Sequence, residues 1–378
     1  MKPLTGIRIA DFTVHNAGPF CTHLLSQLGA EVVKVESAVR PDAFRKPHPV
    51  YGRMGPATFD QVASNKLSVR INLKKPQGAA LARRLVAVSD IAAESFRAGV
   101  IERLGLGYAA LKAVKPDLVM LSVSSSGQTG PDSHFAGYAP LFGAWGGLSA
   151  LTGWADGPPV EMRHVMDHSV GMNAAVAVMA ALHRRRATGL GSHIDVAARE
   201  VASSLLGEAL LMAAAGGEQH RAGNTHPHMN PHGVYRCAGK DRWIAIAVAS
   251  DGEHRALAAL IGGEPGDEAL CAWTASRDAD AAAEALQAAG IAAHASWTTP
   301  EVAADPHLRA RRAIVDVAEP DGTVRAAVGV PMRLSQGEEI GIARGTPGLG
   351  EHEDYVYGEL LGIGRAQRDE LEDAEVIY

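Results

Sequence analysis

The sequence predicts an α/β protein in which a Rossmann-like large domain is joined to a smaller α+β domain. Three observations support this. Short apolar strand patterns alternate with amphipathic helix patterns over the first hundred residues, which is typical of a parallel sheet covered by helices. A second strand-and-helix pattern follows a stretch rich in Gly, His and Pro at residues 216–233. The length of 378 residues is enough for two or three domains with sizeable cores.

The first unit of the large domain reads as strand, turn, helix and strand. Residues 6–12 form an apolar strand pattern, and a turn containing Asn16 follows. Pro19 suits the start of a helix, Gly29 ends that helix, and residues 31–36 form the next strand. Such a unit binds ligands near the carboxyl ends of its strands. Since no G-x-G-x-x-G pattern is present, a dinucleotide-binding fingerprint is not predicted.

The remaining elements follow in chain order. A long apolar helix is expected to begin near Asp167 and to end in basic residues before Gly189, because cations are favoured at a helix carboxyl end. The other predicted elements are a helix over 77–88, strands over 90–94 and 118–123, a helical segment over 192–215, a strand over 242–248 followed by Ala-rich helices, two strands within 314–334, and a loop at 346–350 before a final helix.

These elements predict a discontinuous large domain, because the last segment is too short to fold alone. The expected boundaries are residues 1–200 for the first part of the large domain, 201–225 for a linker, 226–312 for the small domain, 313–345 for a return linker, and 346–378 for the C-terminal part of the large domain.

Composition argues against several classes of function. The chain has 36 Lys and Arg and 42 Asp and Glu, so its net charge of −6 is unfavourable for nucleic acid or an anionic membrane. The N-terminus lacks the apolar run of a signal peptide, and no membrane span is expected. The three Cys are far apart and predict packing residues of a cytoplasmic protein rather than disulfides or a zinc site. The His-rich stretch around residues 220–232 lacks helical His pairs and a helper carboxylate, so no metal is expected there.

Asp167 has two interpretations. As the residue at the start of a long helix, it is a good N-cap. Alternatively, the helix dipole keeps its carboxylate ionised and directs it into a cleft as a nucleophile. The small or polar residues Ser169, Gly171 and Asn173 follow, and they favour the close approach of a ligand.

Basic residues follow several of the predicted strands. Each one alone is most simply a solvated surface charge. Together they would line the edge at which a Rossmann-like sheet binds anions, which favours a polyphosphate ligand. The residues concerned are Arg40, Arg45, Lys74, Arg97 and Arg103.

The chain resembles the family III coenzyme A transferases, which include formyl-CoA transferase and the carnitine CoA-transferases. Each matching segment is weak alone, but their order along the whole chain is specific. The matching segments are residues 6–12, 17–19, 28–36, 65–66, 72–74, 94–97, 102–107, 151–153, Asp167, 189–195, 231–234, 304–309 and 347–352.

The resemblance implies a homodimer of two interlocked, ring-shaped subunits and makes Asp167 the catalytic aspartate. The implied substrates are an acyl-CoA, for example succinyl-CoA, and a small carboxylic acid. CoA is carried as a substrate, with no permanently bound cofactor. A carboxylate can attack a thioester and form first a mixed anhydride and then an aspartyl-CoA thioester. Backbone amides of the turn at residues 15–17 could help to hold CoA or the oxyanion.

The resemblance also assigns the CoA contacts. Two departures from the family pattern are Ser95, where many members have Asn, and Asn16, where formyl-CoA transferase has Gln. No glycine-rich lid loop like that of formyl-CoA transferase is evident. The CoA contacts that the resemblance implies are His15, Asn16, Ala17, Asn72, Leu73, Lys74, Phe96, Arg97 and Arg103. Arg40 is added to them as a basic residue that follows a predicted strand.

Two alternatives remain open. The acyl-CoA racemases of the same superfamily use a His-Asp pair as acid and base, whereas this chain has Tyr138 and Ala139 in that segment. A non-catalytic partner subunit is the second alternative, and the presence of Asp167 argues against it. The acids cannot be identified from the sequence. Candidates for contact with the acceptor acid, chosen by proximity to Asp167, are Trp145, Met162, Arg163 and His164.

Overall fold

The computed structural model describes residues 1–46, 56–161, 165–320 and 322–378, and divides the chain into two compact units. Met162, Arg163, His164 and the turn residue Asp321 lie outside the described residues. The larger unit comprises Met1–Leu148, Glu161–Glu208 and Pro306–Tyr378, and the smaller unit comprises Ser149–Val160 and Ala209–Asp305.

The larger unit is built on a six-stranded parallel sheet, which confirms the predicted α/β class. Its strands lie in the order β3-β2-β1-β4-β5-β6, the doubly wound order whose direction reverses between β1 and β4. Ligands bind in the crevice outside the carboxyl ends of the strands at such a reversal. The strands are β1 (Arg8–Phe12), β2 (Glu31–Glu36), β3 (Leu67–Arg70), β4 (Ile91–Glu94), β5 (Val119–Ser124) and β6 (Ser192–Ala197).

The helices of the described residues follow in chain order. Short 3₁₀ turns occupy Ala43–Arg45 and Ser149–Leu151, and a π-helix occupies Asp354–Leu360. The α-helices are α1 (Ala17–Gln27), α2 (Pro56–Ala63), α3 (Pro76–Ala87), α4 (Val100–Arg103), α5 (Tyr108–Val114), α6 (Ala139–Gly146), α7 (Val165–Thr188), α8 (Ala198–Ser204), α9 (Gly207–Ala214), α10 (Asp251–Ile261), α11 (Asp267–Ala275), α12 (Ala279–Ala288), α13 (Thr299–Ala304), α14 (Pro306–Ala310) and α15 (Arg365–Asp373).

Both faces of the parallel sheet are buried, because successive strand residues point to opposite faces. Ile9 packs in the layer that contains α1 and α7, whereas Ala10 packs in the layer that contains α3. The C-terminal segment adds Val356 and Ile377 to the second layer. The sheet is therefore covered by packed side chains on each face.

The expected helix over residues 192–215 is wrong in its first part. Residues Ser192–Ala197 form β6, which pairs in parallel register with β5, and the helices α8 and α9 follow. Ile194 packs against the core whereas His193 and Asp195 are exposed, so the segment has the two-residue period of an edge strand. The long-range pairing with β5 determines the strand, and a local helix pattern does not contain that information.

Helix α7 packs closely on α1. A Cβ atom at Gly171 would lie 2.8 Å from the Ala17 backbone oxygen and 3.2 Å from the Cys21 backbone nitrogen. The absence of a side chain at Gly171 therefore serves helix packing rather than ligand approach. Asn173 donates a hydrogen bond to the Ser169 carbonyl within the same helix.

The sequence predicted no membrane span, yet α7 has the length and apolar composition to cross a membrane. Among the described residues, no other helix is both long and apolar enough. Buried core helices of water-soluble proteins can have the same length and composition. Its residues Val170, Ala174 and Val178 are buried against the sheet.

The smaller unit contains an antiparallel sheet with its own core. The strands β7 (His232–Arg236), β8 (Trp243–Ala247) and β9 (Ala292–Ala295) lie in that order. Ile244 and Ile246 of β8 pack with Leu257 of α10 and Leu286 of α12.

A hairpin in the larger unit confirms two strands of the predicted segment 314–334. The strands β10 (Ile314–Ala318) and β11 (Val324–Val328) pair in antiparallel register.

Candidate active site

The carboxyl ends of β1 and β4 carry two connected loops. After β1, His15 adopts a left-handed conformation with φ of +66°, and its N–H donates to Asp42 Oδ2 at 3.2 Å. After β4, Ser95 Oγ accepts from the Val14 N–H at 2.8 Å and donates to the Val14 carbonyl at 3.0 Å. These reciprocal bonds fix the two loops against each other at the point where the strand order reverses. Ser95 thus has a structural role at this point.

A buried network of charged and polar groups around Lys66 supports the turn after β1. Lys66 has no exposed side-chain surface and donates to Asp11 Oδ2 at 2.9 Å, to Thr22 Oγ1 at 2.7 Å and to the Pro19 carbonyl at 3.0 Å. Asp11 in turn accepts from the Thr13 N–H at 3.0 Å. The network joins β1, the turn and α1 into one rigid support.

Electrostatics keep the Asp11 carboxyl group charged in this network. Burial opposes its ionisation, but the nearby Lys66 and Lys34 ammonium groups outweigh that effect and lower the pKa of Asp11. Burial also lowers the pKa of Lys66, which Asp11 partly offsets. Lys34 donates to the Thr13 carbonyl at 2.8 Å and lies 3.8 Å from Asp42 Oδ2, so it connects the network to the carboxylate that holds His15.

Asp167 lies beside the start of α1. It occupies the first turn of α7 and is half-buried, and Asn16 Nδ2 donates to its Oδ2 at 3.5 Å. Asn16 is 5% exposed, and its Oδ1 has no hydrogen-bond partner among the described residues. The amide must turn its nitrogen towards Asp167 because a carboxylate can only accept. Two residues 151 positions apart in the sequence are thereby brought into contact.

A cleft of about 170 Å³ opens next to this pair. His168, the neighbour of Asp167, also packs its ring on Phe20 with a centroid distance of 4.2 Å. The described residues that line the cleft are Asn16, Thr58, Gln61, Val62 and His168. Except for Val62, they offer amide, hydroxyl or imidazole groups, which suits a small polar ligand.

Tyr138 and Ala139 lie near the same turn. Tyr138 is 65% exposed, and its ring meets the His15 ring edge-on at 5.8 Å. Ala139 begins α6 and packs against the core. Its methyl side chain provides no acidic group next to Tyr138. Trp145, further along α6, lies 5.9 Å from the Phe135 ring.

The segment after β4 presents a half-buried aromatic ring and two exposed guanidinium groups. Phe96 packs against the core layer of α3, and its N–H donates to Glu94 Oε2 at 2.8 Å. Gly99 has φ of +76°, which lets the chain turn into α4. Arg97 and Arg103 are exposed on either side of this turn.

The turn after β3 uses its Asn for structure. The Asn72 N–H donates to the Val376 carbonyl at 2.8 Å and its Nδ2 donates to the Glu375 carbonyl at 3.2 Å. Leu73 is half-buried, whereas Lys74 is exposed. The side chain of Asn72 therefore holds the C-terminal segment, which leaves Lys74 as the group of this turn that is accessible to an anion.

The expected CoA contacts lie on four neighbouring loops. Because the carboxyl ends of parallel strands meet at one edge, these loops share that edge. Arg40 is exposed after β2, between the loops that follow β1 and β3. The contact residues by loop are His15, Asn16 and Ala17 after β1; Arg40 after β2; Asn72, Leu73 and Lys74 after β3; and Phe96, Arg97 and Arg103 after β4.

Several residues of this region were not predicted from the sequence. Asp42 fixes the backbone of His15, Glu94 accepts from Phe96, and Thr58 and Gln61 face the cleft from α2. Their roles depend on hydrogen bonds or packing between distant segments, for which the sequence carries no local signal.

The described residues contain no group of three His, Cys, Asp or Glu side chains arranged to hold a metal ion. The His226 ring centroid lies 6.1 Å from that of His228 and 5.2 Å from that of His232. His226 and His228 are exposed, and His232 is half-exposed. Burial raises the pKa of the Cys21 thiol, which disfavours a thiolate nucleophile next to α1.

Comparisons with known proteins agree on one family. The sequence profile described as CoA-transferase family III matches residues 4–353. A succinyl-CoA–D-citramalate CoA-transferase of Chloroflexus aurantiacus is 33% identical over 96% of this chain and 95% of its own length. A succinate–glutarate CoA-transferase of Agrobacterium fabrum is 32% identical over 96% of this chain and 97% of its own length. The crystal structure of a CAIB/BAIF family protein from Brucella suis superposes with a TM-score of 0.84, 29% identity, and coverage of 95% of this chain and 99% of that protein.

Proposed function

The chain belongs to CoA-transferase family III, and on that premise we propose that it moves CoA from an acyl-CoA donor to a free carboxylic acid through the carboxylate of Asp167. The observation that carries this proposal is the position of Asp167. It lies half-buried in the first turn of α7, next to Asn16 and to a cleft of about 170 Å³ at the reversal of the strand order. The α7 dipole favours the charged carboxylate at this position by about 0.3–1 kcal/mol.

In the first half of the reaction, an Asp167 oxygen attacks the thioester carbonyl of the donor. The carbon–sulfur bond breaks, CoA leaves as a thiolate, and a mixed anhydride joins the donor acyl group to Asp167. The thiolate then attacks the aspartyl carbonyl of that anhydride. The donor acid departs as a carboxylate, and an aspartyl-CoA thioester remains.

In the second half, the acceptor carboxylate attacks the aspartyl thioester and releases the thiolate again. The thiolate attacks the acyl carbon of the acceptor, so that acceptor acyl-CoA forms and the Asp167 carboxylate returns. The cycle has no net uptake or release of a proton and no oxidation. The Asn16 side-chain amide lies next to Asp167, and it would stabilise the developing oxyanions together with the backbone N–H groups of Asn16 and Ala17.

The basic side chains at the carboxyl ends of the strands would bind the phosphates of CoA. Arg40, Lys74, Arg97 and Arg103 are exposed and follow β2, β3 and β4. Guanidinium groups bind phosphate through paired charge-assisted hydrogen bonds, which suits the two arginines that flank Gly99. A few local cations suffice for this ligand although the whole chain has a net charge of −6.

The cleft next to Asp167 would hold the acid part of the substrate. Related proteins are named for succinyl-CoA with D-citramalate and for succinate with glutarate. We therefore propose succinyl-CoA as a donor and a small dicarboxylic acid as the acceptor. The polar lining from Thr58, Gln61 and His168 supports this class.

The chain is proposed to work as a cytoplasmic homodimer. Met172, Val176 and Met179 are exposed on α7, which supports a partner surface along that helix. Measurement of the mass and of the activity of the single purified chain tests this proposal. If the chain is inactive alone and gains activity only with a different subunit, the homodimer is excluded.

The covalent intermediate is tested by trapping. The protein is incubated with succinyl-CoA and then with hydroxylamine or borohydride, and the labelled peptide is located by mass spectrometry. We expect a hydroxamate or a reduced alcohol at Asp167 only. Asp167→Ala should lose the label and lower the transfer rate by a factor on the order of 10⁴ or more.

Asp251→Ala is the matched control, because Asp251 also occupies the first turn of a helix, α10, and is exposed. This variant should keep both the label and the transfer rate. If Asp167→Ala retained full activity, or if the label appeared at another residue, the proposed mechanism would be wrong.

A further inference from the structure

Glu94 is a buried carboxyl group that the proposed transfer steps do not use. It is the last residue of β4 and is 1% exposed, opposite Phe12 of β1 and Ser122 of β5. Its Oε2 accepts the Phe96 N–H at 2.8 Å. This bond spans the first turn of the segment that carries Phe96 and Arg97, so the side chain of Glu94 determines how that segment leaves the sheet.

A chain of polar groups connects Glu94 to the edge of the sheet. Ser122 of β5 lies opposite Glu94 in the strand register, and Ser122 Oγ lies 3.0 Å from His193 Nε2. His193 is on the edge strand β6, where it is solvent-accessible, and its ring stacks on Tyr108 at 5.1 Å.

The charge of Glu94 is poorly compensated. Its Oε1 has no hydrogen-bond partner among the described residues. Burial raises the pKa of Glu94 to about 7, and the like charges of Glu102 on α4 and Asp195 on β6 act in the same direction. The other titratable groups facing this region are His193 of β6 and Tyr108 of α5. The Glu94 carboxyl group therefore titrates near neutral pH.

We propose that Glu94 is a positioning residue for CoA, because it fixes the Phe96–Arg97 segment, and that its ionisation strengthens CoA binding. The inference rests on the proposed function, which places CoA against this segment. A charged oxygen accepts an N–H bond more strongly than a neutral carboxyl does. The ionised form therefore holds Phe96 in place better than the protonated form.

The test compares the dissociation constant of CoA for the wild type and for Glu94→Gln between pH 6 and pH 8, measured by isothermal titration calorimetry. Gln is isosteric and accepts the Phe96 N–H through its amide oxygen, but it does not titrate. We expect the affinity of the wild type relative to the variant to rise about fivefold from pH 6 to pH 8, the difference between a neutral and a charge-assisted hydrogen bond. Titration of the CoA phosphates cancels in this ratio.

Glu102→Gln is the control, since it removes a neighbouring charge without changing the bond to Phe96. This variant should keep the pH dependence, with its midpoint moved to lower pH. The trapping of Asp167 should be unaffected in Glu102→Gln, because Glu102 contacts neither the reacting atoms nor the Phe96 N–H. A purely structural role of Glu94 would change the melting temperature but leave the affinity ratio independent of pH, and that outcome would overturn the proposal.

A measurement on the wild type alone covers the case in which Glu94→Gln does not fold. Dephospho-CoA lacks the phosphate monoester that titrates near neutrality. Its binding at pH 7, measured in two buffers of different ionisation enthalpy, should release a fraction of a proton. The absence of proton release would also overturn the proposal. If the wild type bound neither CoA nor dephospho-CoA at any pH, the proposed function itself would fail, which is a distinguishable result.

Discussion

Removal of the buried ammonium group of Lys66 should be among the most damaging single changes in the larger unit. Lys66 and Asp11 are both fully buried, and Lys66 also binds Thr22 and the Pro19 carbonyl. Lys66→Met keeps much of the side-chain volume but leaves the Asp11 carboxylate without its nearest cation. The remaining donors to Asp11 come from Thr13 and Thr22.

The expected loss follows from the burial of the pair. Breaking a buried ion pair by removal of one partner typically lowers the free energy of unfolding by about 3–5 kcal/mol. Lys75→Met is the matched control in the same unit. Lys75 pairs with Glu375 at 3.1 Å, but the two side chains are 35% and 63% exposed. Such a surface pair contributes about 0–1 kcal/mol.

Urea unfolding followed by circular dichroism measures both variants. With an m value of about 3 kcal/mol/M, Lys66→Met should lower the midpoint of the larger unit by about 1 M or more, and Lys75→Met by about 0.3 M or less. The double variant Asp11→Asn with Lys66→Met should recover part of the loss, because the uncompensated charge is then gone. If Lys66→Met cost less than about 1 kcal/mol, or no more than Lys75→Met, the assigned role of the buried pair would be refuted.

Two further predictions concern helix packing and pH. Gly171→Ala should lower kcat at least tenfold and stability by about 1–3 kcal/mol, because its Cβ would press on the Ala17 carbonyl and shift α1, and with it Asn16, away from Asp167. Gly207→Ala, where a Cβ meets nothing within 4 Å, should leave kcat unchanged. The raised pKa of Glu94, about 7 against 4.5 when unfolded, means that the folded state holds this proton more tightly. Wild-type stability should therefore fall relative to Glu94→Gln as the pH rises from about 4.5 to 7. A constant difference between their urea midpoints at pH 5 and pH 8 would contradict this.

The sequence predicts the first units of the fold well because their signals are local. The strand at residues 31–36 was predicted with the bounds that β2 has, since a Gly and an apolar run define it. The helix predicted over residues 77–88 corresponds to α3, whose two ends differ from the prediction by one residue each. The strand β6 was missed because its pairing with β5 depends on a contact 73 residues away, from Val119 to Ser192.

The site was predictable only in part. Strand ends predict the edge where an anion is proposed to bind, and the family resemblance predicts Asp167 and the turn at residues 15–17 as site residues. The contact between Asn16 and Asp167 requires α1 and α7 to pack closely, which Gly171 permits and which no local pattern reveals. The chemical roles of the CoA contacts remain predictions, whereas membership of the family is confirmed.

The two walls of the cleft belong to different parts of the architecture, and this has a consequence for protein engineering. Asn16 is held by the rigid frame of β1, α1 and the buried Lys66–Asp11 pair, whereas Thr58 and Gln61 project from the short helix α2. Libraries randomised at Thr58 and Gln61 should therefore change the acid proposed to bind in this cleft and leave the frame around Asn16 intact.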